Sequence, residues 1–313
     1  MRNSLYWDDF SRRISETVTA LKQNNQPPVR RVAIFITNQC NFRCDYCNMS
    51  FGCSQIQEDI FNNIIEKYGK MAILHITGGE PSLVKWLYPY IESHKNVRFH
   101  LNTNAFIVPP KNVKRLKVSL DSCDEKYFNN LVHNKLAFKN VTENIKNTCE
   151  YTTVSITCVL SKENYKDAPK FMKFCRKEFP KLYAVFFSVY KGNNPRFKFD
   201  NNDIDNFFND IKPELEKEMD NESLALFNET IDEKFRIIQG IRFPENSIDK
   251  PCYISLSERV IDWNGNEGFC SHLFRDKIQM TCGKKYEQCK YGCNRRLVKF
   301  NEEVEMLLNK EII

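Results

Sequence analysis

Three cysteines within eight residues constrain this 313-residue chain more than any other feature. Cys40, Cys44 and Cys47 follow the apolar run 32–37, which is typical of a buried strand that leads into a loop. Three thiolates on one short loop can bind a single soft metal centre. Because iron–sulfur cubanes usually take four thiolates, such a loop leaves one iron open to a small molecule. A structural zinc site is the alternative, with Cys53 as the fourth ligand, although zinc sites typically show paired CxxC halves.

The overall composition indicates an intracellular setting. The chain has 13 cysteines, and residues 1–16 contain no apolar segment of the kind found in secretory signals. This combination predicts reduced thiols and bound metal in the cytoplasm. No apolar run approaches the ~20 residues that a membrane span needs. The net charge of +6 is spread along the chain, so the composition does not indicate a nucleic-acid surface.

Strand and helix patterns alternate from residue 30 onward, after a short helix at 5–21. We predict strands at 32–37, 72–77, 97–101, 115–120, 154–160 and 184–189. Helices are predicted between them at 59–68, 83–94, 138–149 and 165–178. This alternation predicts an α/β fold with parallel strands and right-handed crossovers. Six such units suit a partial, TIM-like (β/α)6 barrel, in which functional residues gather at the carboxyl ends of the strands.

Polar residues recur at every second position along these strands. Alternate residues of a strand face the same side, and fully buried parallel strands normally read as continuous apolar runs. The pattern therefore predicts a polar, ligand-filled interior. For any single residue, the alternative interpretation is a buried, hydrogen-bonded group without a catalytic role. The predicted inward-facing residues are His75, Thr77, His100, Asn102, Asn104, Lys117, Ser119, Asp121, Ser155 and Thr157. Cys158 has the opposite parity and is expected to face the helices.

The CxxxCxxC loop resembles the cluster loop of the radical S-adenosylmethionine (SAM) superfamily. The resemblance implies a [4Fe-4S] cluster held by Cys40, Cys44 and Cys47, with SAM bound to the fourth iron. It also implies that Tyr46 lies near the adenine of SAM. Such an enzyme uses one electron, supplied by a flavodoxin or ferredoxin, to cleave SAM to a 5′-deoxyadenosyl radical that abstracts hydrogen from the substrate.

Further motifs add to this resemblance. Gly78-Gly79-Glu80 resembles the family's GGE motif, which implies binding of the methionyl amino group of SAM. The stretch 101–104 resembles the family's TNG stretch, with Ala105 where glycine is common. The stretches 118–122 and 155–160 resemble regions that approach SAM or substrate. The implied cofactor-binding residues are Tyr46, Gly78, Gly79, Glu80, Asn102, Asn104, Ser119, Asp121 and Thr157. Lys117, His100 and Tyr190 are candidate proton acceptors by position only.

A second group of cysteines lies near the end of the chain. Segment 248–300 contains Cys252, Cys270, Cys282, Cys289 and Cys293. The Asn-Gly pair at 264–265 predicts a hairpin that brings the first two together. Four thiolates here suit a second iron–sulfur cluster or zinc.

The spacing of these cysteines resembles the twitch/SPASM extensions of some radical SAM enzymes. The resemblance implies one auxiliary [4Fe-4S] cluster held by Cys252, Cys270, Cys289 and Cys293, with Cys282 as the alternative to Cys289. The expected organisation is an N-terminal helical extension at 1–29 and a radical SAM partial barrel at 30–199. These are followed by a helical bridge at 200–247, a small hairpin-plus-helix auxiliary-cluster domain at 248–300 and a C-terminal helix at 301–313.

Together these features predict a radical SAM oxidoreductase. We expect a two-electron oxidation of a small polar metabolite, such as a sugar or aminocyclitol, with the auxiliary cluster as electron acceptor. A peptide maturase that forms a crosslink, thioether or epimer is the alternative, but the 29 residues before the barrel are too few for a leader-binding domain. A non-enzymatic iron–sulfur electron carrier is the alternative of another class, and it has no need of a GGE motif or a polar interior.

Overall fold

The computed structural model describes residues 5–239, 250–269 and 295–310, and its centre is a sheet of eight strands. The strands are β1 (Arg31–Phe35), β2 (Ile73–Thr77), β3 (Arg98–Thr103), β4 (Arg115–Ser119), β5 (Thr153–Leu160), β6 (Ala184–Val189), β7 (Glu258–Ile261) and β8 (Glu267–Gly268). Their order is β6-β5-β4-β3-β2-β1-β7-β8. Strands β1 to β6 pair in parallel with their chain neighbours, which is the arrangement of a partial (β/α) barrel.

The six predicted strands are confirmed, and so is the hairpin. Strand β7 pairs antiparallel with β8 around the turn that contains Gly265, whose φ of +83° favours glycine. Strand β7 also pairs in parallel with β1, so the hairpin extends the barrel sheet at its first edge. The stretch before β7 is a helical turn at Ile254–Ser257.

The described residues form helices before, between and after the strands. They are α1 (Leu5–Lys22), α2 (Glu58–Tyr68), α3 (Leu87–Ser93), α4 (Glu125–Leu131), α5 (Ala137–Thr148), α6 (Ala168–Glu178), α7 (Asn201–Asn206), α8 (Lys212–Glu218), α9 (Asn221–Ile238), α10 (Ile254–Ser257) and α11 (Arg295–Asn309). Short 3₁₀ turns lie at Pro81–Leu83 and Tyr165–Asp167, and a π-helical turn lies at Phe207–Ile211. None of the helices in the described ranges has the length and apolarity of a bilayer span.

Alternate strand residues divide between the helix-facing core and the interior of the barrel. Apolar side chains such as Val32, Leu74 and Phe99 are fully buried, whereas the polar residues between them are partly exposed. Burial of one such side chain contributes about 1.5–3 kcal/mol, which favours this register over its one-residue slip. Cys158 is buried on the helix-facing side, as its parity predicts.

Helix α9 covers the free edge of β6. The Ser223 hydroxyl oxygen accepts a hydrogen bond from the backbone N–H of Val185 at 3.0 Å, and the Lys234 ammonium donates to the carbonyl of Phe187 at 2.5 Å. An uncovered edge strand presents unpaired backbone groups and invites aggregation. The segment expected to be a bridge therefore packs directly against the barrel, with Phe207 in the main hydrophobic core.

The first and last helices share a second, smaller core. Its buried residues are Phe10, Ile14, Val18, Tyr253, Ile254, Leu256, Phe300 and Val304. Buried Arg13 joins the two regions, since it pairs with Glu258 at 2.9 Å and donates to the Ser257 hydroxyl at 3.0 Å. Helix α11 begins at Arg295, so the expected boundary after residue 300 falls inside this helix. Cys270, Cys282, Cys289 and Cys293 lie outside the described residues.

Candidate active site

The cysteine loop follows β1 and leads into α2. The three thiols of Cys40, Cys44 and Cys47 are all partly exposed, and the N–H of Cys47 donates to the carbonyl of Cys44 at 2.9 Å to form a tight turn. Phe42, which is buried, anchors the loop to the core. Burial raises the pKa of the Cys40 thiol to about 11 and also raises that of Cys44. A bound cation opposes this effect, because metal ligation deprotonates a thiol.

Three partly exposed thiols on one loop fit the donor set of an iron–sulfur centre with one open iron. Within the described ranges, no three Cys, His, Asp or Glu side chains are already grouped closely enough to hold a metal ion. The three thiols share one short loop, and their assignment as iron ligands stays a prediction.

The two glycines after β2 are required by the cysteine loop itself. A Cβ at Gly79 would lie 1.9 Å from the backbone oxygen of Gln39, and Gly78 has φ +135°. The N–H of Gly79 donates to the carbonyl of Thr37 at 2.8 Å, and that of Glu80 donates to Gln39 at 2.7 Å. The protein's own backbone makes the close approach at these glycines. The hydrogen bond from Glu80 to Gln39 holds the cysteine loop at the residue that precedes Cys40.

The Glu80 carboxylate connects the ends of β2 and β3. It is fully buried and accepts hydrogen bonds from the N–H of Ser82 at 3.0 Å, the Thr103 hydroxyl at 2.6 Å and the N–H of Asn104 at 2.7 Å. Burial raises the pKa of Glu80, while these donors favour the charged form. Contact of this carboxylate with the amino group of SAM stays a prediction. Next to this junction, Ala105 has φ +53°, the left-handed conformation that glycine adopts most easily.

Tyr46 and Asp121, both predicted to bind the cofactor, are in direct contact. The Tyr46 hydroxyl donates to Asp121 Oδ2 at 2.5 Å, and Asp121 Oδ1 accepts from the N–H of Val159 at 2.7 Å. Burial raises the pKa of Asp121 to about 6. The Tyr46 ring also meets Phe197 edge-on, with centroids 6.2 Å apart. The loop thus connects to the carboxyl ends of β4 and β5 through one hydrogen-bonded pair.

Several predicted interior residues present polar atoms without a partner. Buried side-chain oxygens of Asn102, Ser155 and Thr157 have no hydrogen-bond partner among the described residues. Thr157 lies opposite the exposed Ser119 in the register of β4 and β5. Asn104, in contrast, donates to the side-chain oxygen of Asn41 at 2.7 Å and so holds the cysteine loop. Unsatisfied buried oxygens are rare, and here they mark an interior suited to a polar ligand.

The three candidate proton acceptors differ in their surroundings. Burial and the nearby Arg115 lower the pKa of His100 to about 3, so its ring is neutral and weakly basic at pH 7. The Lys117 ammonium lies 4.7 Å from the centroid of the Phe186 ring. Tyr190 is buried, and its hydroxyl oxygen accepts from the N–H of Asn194 at 3.2 Å. A catalytic role for each of them stays a prediction.

An ion-pair network that sequence reasoning missed supports the outer side of the cysteine loop. Asp45 pairs with His133 and with Arg196, both at 2.5 Å, and Arg196 also pairs with Glu163 at 2.6 Å. The N–H of Asp45 donates to the carbonyl of Leu131 at 3.0 Å. These partners lie far apart in the chain, so spacing alone contains no signal of their contact.

Residues 34–175 match the family model described as the Radical SAM superfamily. This span includes the three cysteines of the loop, the GGE turn and strands β2 to β5. The chain therefore contains a radical SAM superfamily domain.

Among curated proteins, the GTP 3′,8-cyclase of Staphylococcus haemolyticus is 29% identical over 134 residues, covering 36% of this chain and 39% of the relative. The probable GTP 3′,8-cyclase of Methanocaldococcus jannaschii is 26% identical over 209 residues, covering 60% of this chain and 68% of the relative. The chain thus spans only 39% of the length of the first of these relatives.

Solved structures agree with the fold. Streptococcus suis SuiB bound to the precursor peptide SuiA has a TM-score of 0.57 and 15% identity, covering 95% of this chain and 69% of SuiB. Native anSMEcpe with bound AdoMet and Cp18Cys peptide has a TM-score of 0.52 and 16% identity, covering 90% of this chain and 84% of that protein. At these identities the likeness establishes the α/β fold with its mostly parallel sheet.

Proposed function

We propose that this protein is a radical SAM enzyme that reductively cleaves SAM and abstracts a hydrogen atom from its substrate. One observation carries the proposal: within a radical SAM domain, the GGE turn is hydrogen-bonded to the residue that precedes Cys40. The cysteine loop and the GGE turn are therefore one structural unit at the carboxyl ends of the strands, where parallel barrels place their active sites.

In this proposal, Cys40, Cys44 and Cys47 hold the cluster. When bound, the [4Fe-4S] cluster supplies the electron that converts SAM to methionine and a 5′-deoxyadenosyl radical. The backbone of Gly79 and Glu80 keeps the loop in place, and the Tyr46–Asp121 pair forms one wall of the cofactor site. The polar interior below these residues holds the substrate and keeps bulk water away from a reactive radical.

For the substrate, we propose a small polar metabolite that undergoes a two-electron oxidation. The partly exposed polar residues and unpartnered oxygens of the interior support a polar substrate. The names of the curated relatives, GTP 3′,8-cyclases, also favour a small molecule. An auxiliary cluster held by Cys252, Cys270, Cys289 and Cys293, or by Cys282 in place of Cys289, would accept the second electron. A flavodoxin or ferredoxin in the cytoplasm would supply the separate electron that cleaves SAM.

A peptide substrate is the second candidate. SuiB was solved with its precursor peptide and anSMEcpe with a peptide, and each aligns with at least 90% of this chain. Incubation with small polar metabolites and with peptides, followed by mass spectrometry of each mixture, separates the two candidates. The substrate that loses hydrogen identifies the class.

SAM cleavage tests the proposal directly. Protein reconstituted anaerobically with iron and sulfide, then reduced with dithionite, should convert SAM to 5′-deoxyadenosine, which chromatography quantifies. Cys44→Ala should abolish this product, whereas Cys53→Ala, a variant of an exposed thiol in the same loop, should retain the iron. Intact clusters without 5′-deoxyadenosine would indicate an electron carrier, and bound zinc that requires Cys53 would indicate a structural site.

A further inference from the structure

Helices α5 and α6 form a groove of about 330 Å³ at the protein surface. Three phenylalanine rings give it an apolar lining: Phe138 and Phe174 have their centroids 5.9 Å apart, and Phe179 meets Phe174 edge-on at 5.7 Å. The other lining residues are Lys139, Thr142, Glu143, Lys146 and Glu178. An apolar centre with a charged surround is the usual composition of a protein–protein interface.

The segment that forms this groove is basic. Lysine and arginine occur along the whole chain, but in residues 135–181 they outnumber aspartate and glutamate by ten to five. Lys135, Lys139 and Lys146 are exposed, and their spacing places them along one side of α5. None of the three forms an ion pair with a described residue. Glu178 in the groove lies 3.9 Å from Lys177. The net positive charge around the groove therefore attracts acidic partners.

An exposed leucine lies beside the groove. Leu136, directly before α5, has an exposed fraction of 59%, the highest among the large apolar residues that the structure describes. The exposed Lys135 and Lys139 flank it in the sequence. Removing such a side chain from water on binding is favourable, and polar residues around it help to exclude water from the contact. Leu136 is therefore a candidate anchor for a partner protein.

The amino end of α5 is connected to the cysteine loop through α4. The N–H of Phe138 donates to the side-chain oxygen of Asn129 in α4 at 2.8 Å. At the end of the same helix, the carbonyl of Val132 accepts from the N–H of Arg43 at 3.1 Å. Arg43 directly precedes the second cysteine of the loop. A protein that covers Leu136 is therefore held close to the predicted cluster ligands.

The size and charge of this surface indicate the kind of protein that fits it. A small groove with a rim of lysines offers a limited contact area, and weak redox complexes have interfaces below about 1,200 Å². Complementary charges raise the association rate, which a short-lived complex needs. Glu143 and Glu178 within the groove oppose the phosphates of a nucleic acid, because like charges placed together are unfavourable. These features favour an acidic redox protein.

We propose that the groove between α5 and α6, together with Lys135, Leu136 and Lys139, is the docking surface of an acidic electron-donor protein. The donor is oxidised by one electron, which reduces the cluster predicted at the cysteine loop, and no proton or chemical group is transferred with it. The role of this surface in electron delivery rests on the proposed function, whereas the binding of an acidic protein does not.

Calorimetry with an acidic flavodoxin at low ionic strength tests the surface on the reconstituted protein. Leu136→Ser removes the apolar anchor and should weaken flavodoxin binding roughly 5- to 30-fold. Lys139→Glu reverses a charge and should weaken binding about 3- to 10-fold at low salt, with a smaller difference at high salt. The matched controls are Met306→Ser, at a 47% exposed residue of α11, and Lys70→Glu, at an exposed position after α2, and both should bind as the wild type does.

Equal flavodoxin affinity of the wild type and both surface variants would overturn the proposal, and so would no binding by the wild type. An RNA oligonucleotide that binds more tightly than flavodoxin and loses affinity in Lys139→Glu would also overturn it, because the surface would then belong to a nucleic acid. A dimer in size-exclusion chromatography that dissociates in Leu136→Ser would assign the surface to a second copy of the chain instead. Circular dichroism and iron content show whether each variant is folded, and Lys135→Glu takes the place of either variant if it is not.

The choice of reductant separates this proposal from the proposed function. SAM cleavage driven by reduced flavodoxin should be slower in both variants. Cleavage driven by dithionite, a small reductant that needs no docking surface, should match the wild type. Dithionite-driven cleavage without flavodoxin binding refutes only the docking surface. Flavodoxin binding with the expected variant dependence, but no cleavage with either reductant, refutes only the proposed function.

Discussion

Replacement of Gly79 by alanine tests whether the GGE turn holds the cysteine loop. The new Cβ would lie 1.9 Å from the Gln39 oxygen. Because non-bonded atoms need roughly 3.5 Å, that carbonyl has to move by more than ~1 Å. The bonds from Gly79 to Thr37 and from Glu80 to Gln39, now 2.8 and 2.7 Å long, would then break. Two lost backbone bonds at about 0.5–1.5 kcal/mol each, plus about 1–3 kcal/mol of overpacking, predict a loss of about 2–6 kcal/mol.

The measurements are urea unfolding and the iron content of reconstituted Gly79→Ala. We expect a lower midpoint and less iron, since Cys40 follows the displaced residue directly. Lys177→Ala is the control, because this helical side chain is 82% exposed and lies far along the chain from the cysteine loop. This control should lose less than about 1 kcal/mol and keep its iron. Wild-type stability and iron in Gly79→Ala would refute the view that backbone contact, rather than ligand approach, requires this glycine.

Three other predictions follow from the same region and from the second group of cysteines. Glu80→Gln replaces one acceptor oxygen by a donor beside Thr103 and Asn104. It should therefore lower the free energy of unfolding by about 1–3 kcal/mol and weaken SAM binding. An unchanged dissociation constant for SAM would argue that the GGE turn has a purely structural role. Asp121 has a folded-state pKa raised to about 6, so its contribution to stability decreases as pH rises through that value. Between pH 5 and 7 the wild type should lose about 1 kcal/mol relative to Asp121→Asn, and parallel pH profiles in urea unfolding would contradict this. Cys252→Ala should retain SAM cleavage and lose the iron of one cluster, and an unchanged iron content would exclude Cys252 as a ligand.

The strands of the barrel were predictable because local periodicity determines them. A nearly continuous apolar run placed a strand at 184–189, and β6 occupies Ala184–Val189. The ends of the strands were less predictable. A strand was predicted at 97–101, whereas backbone contacts extend β3 to Thr103. The helix predicted at 83–94 begins later, because Pro81–Leu83 forms a separate 3₁₀ turn capped by Glu80.

The candidate site was predictable in its members but not in their contacts. Tyr46 and Asp121 were both expected near the cofactor, yet a hydrogen bond between residues 75 positions apart leaves no local pattern. The same holds for Asp45 and Arg196, which are separated by 151 positions. The structural requirement for glycine at position 79 was also not predictable, because it depends on where the Gln39 carbonyl lies in space.

The shared core of α1 and α11 has a consequence for the order in which the protein forms during synthesis. Phe10 packs edge-on against Phe300, with centroids 5.6 Å apart, and β1 pairs with β7. Neither contact exists until the residues of β7 and α11 have left the ribosome. Helix α1 is therefore without its native partners while the barrel strands are being synthesised, and nascent-chain crosslinking would find α1 undocked until α11 emerges.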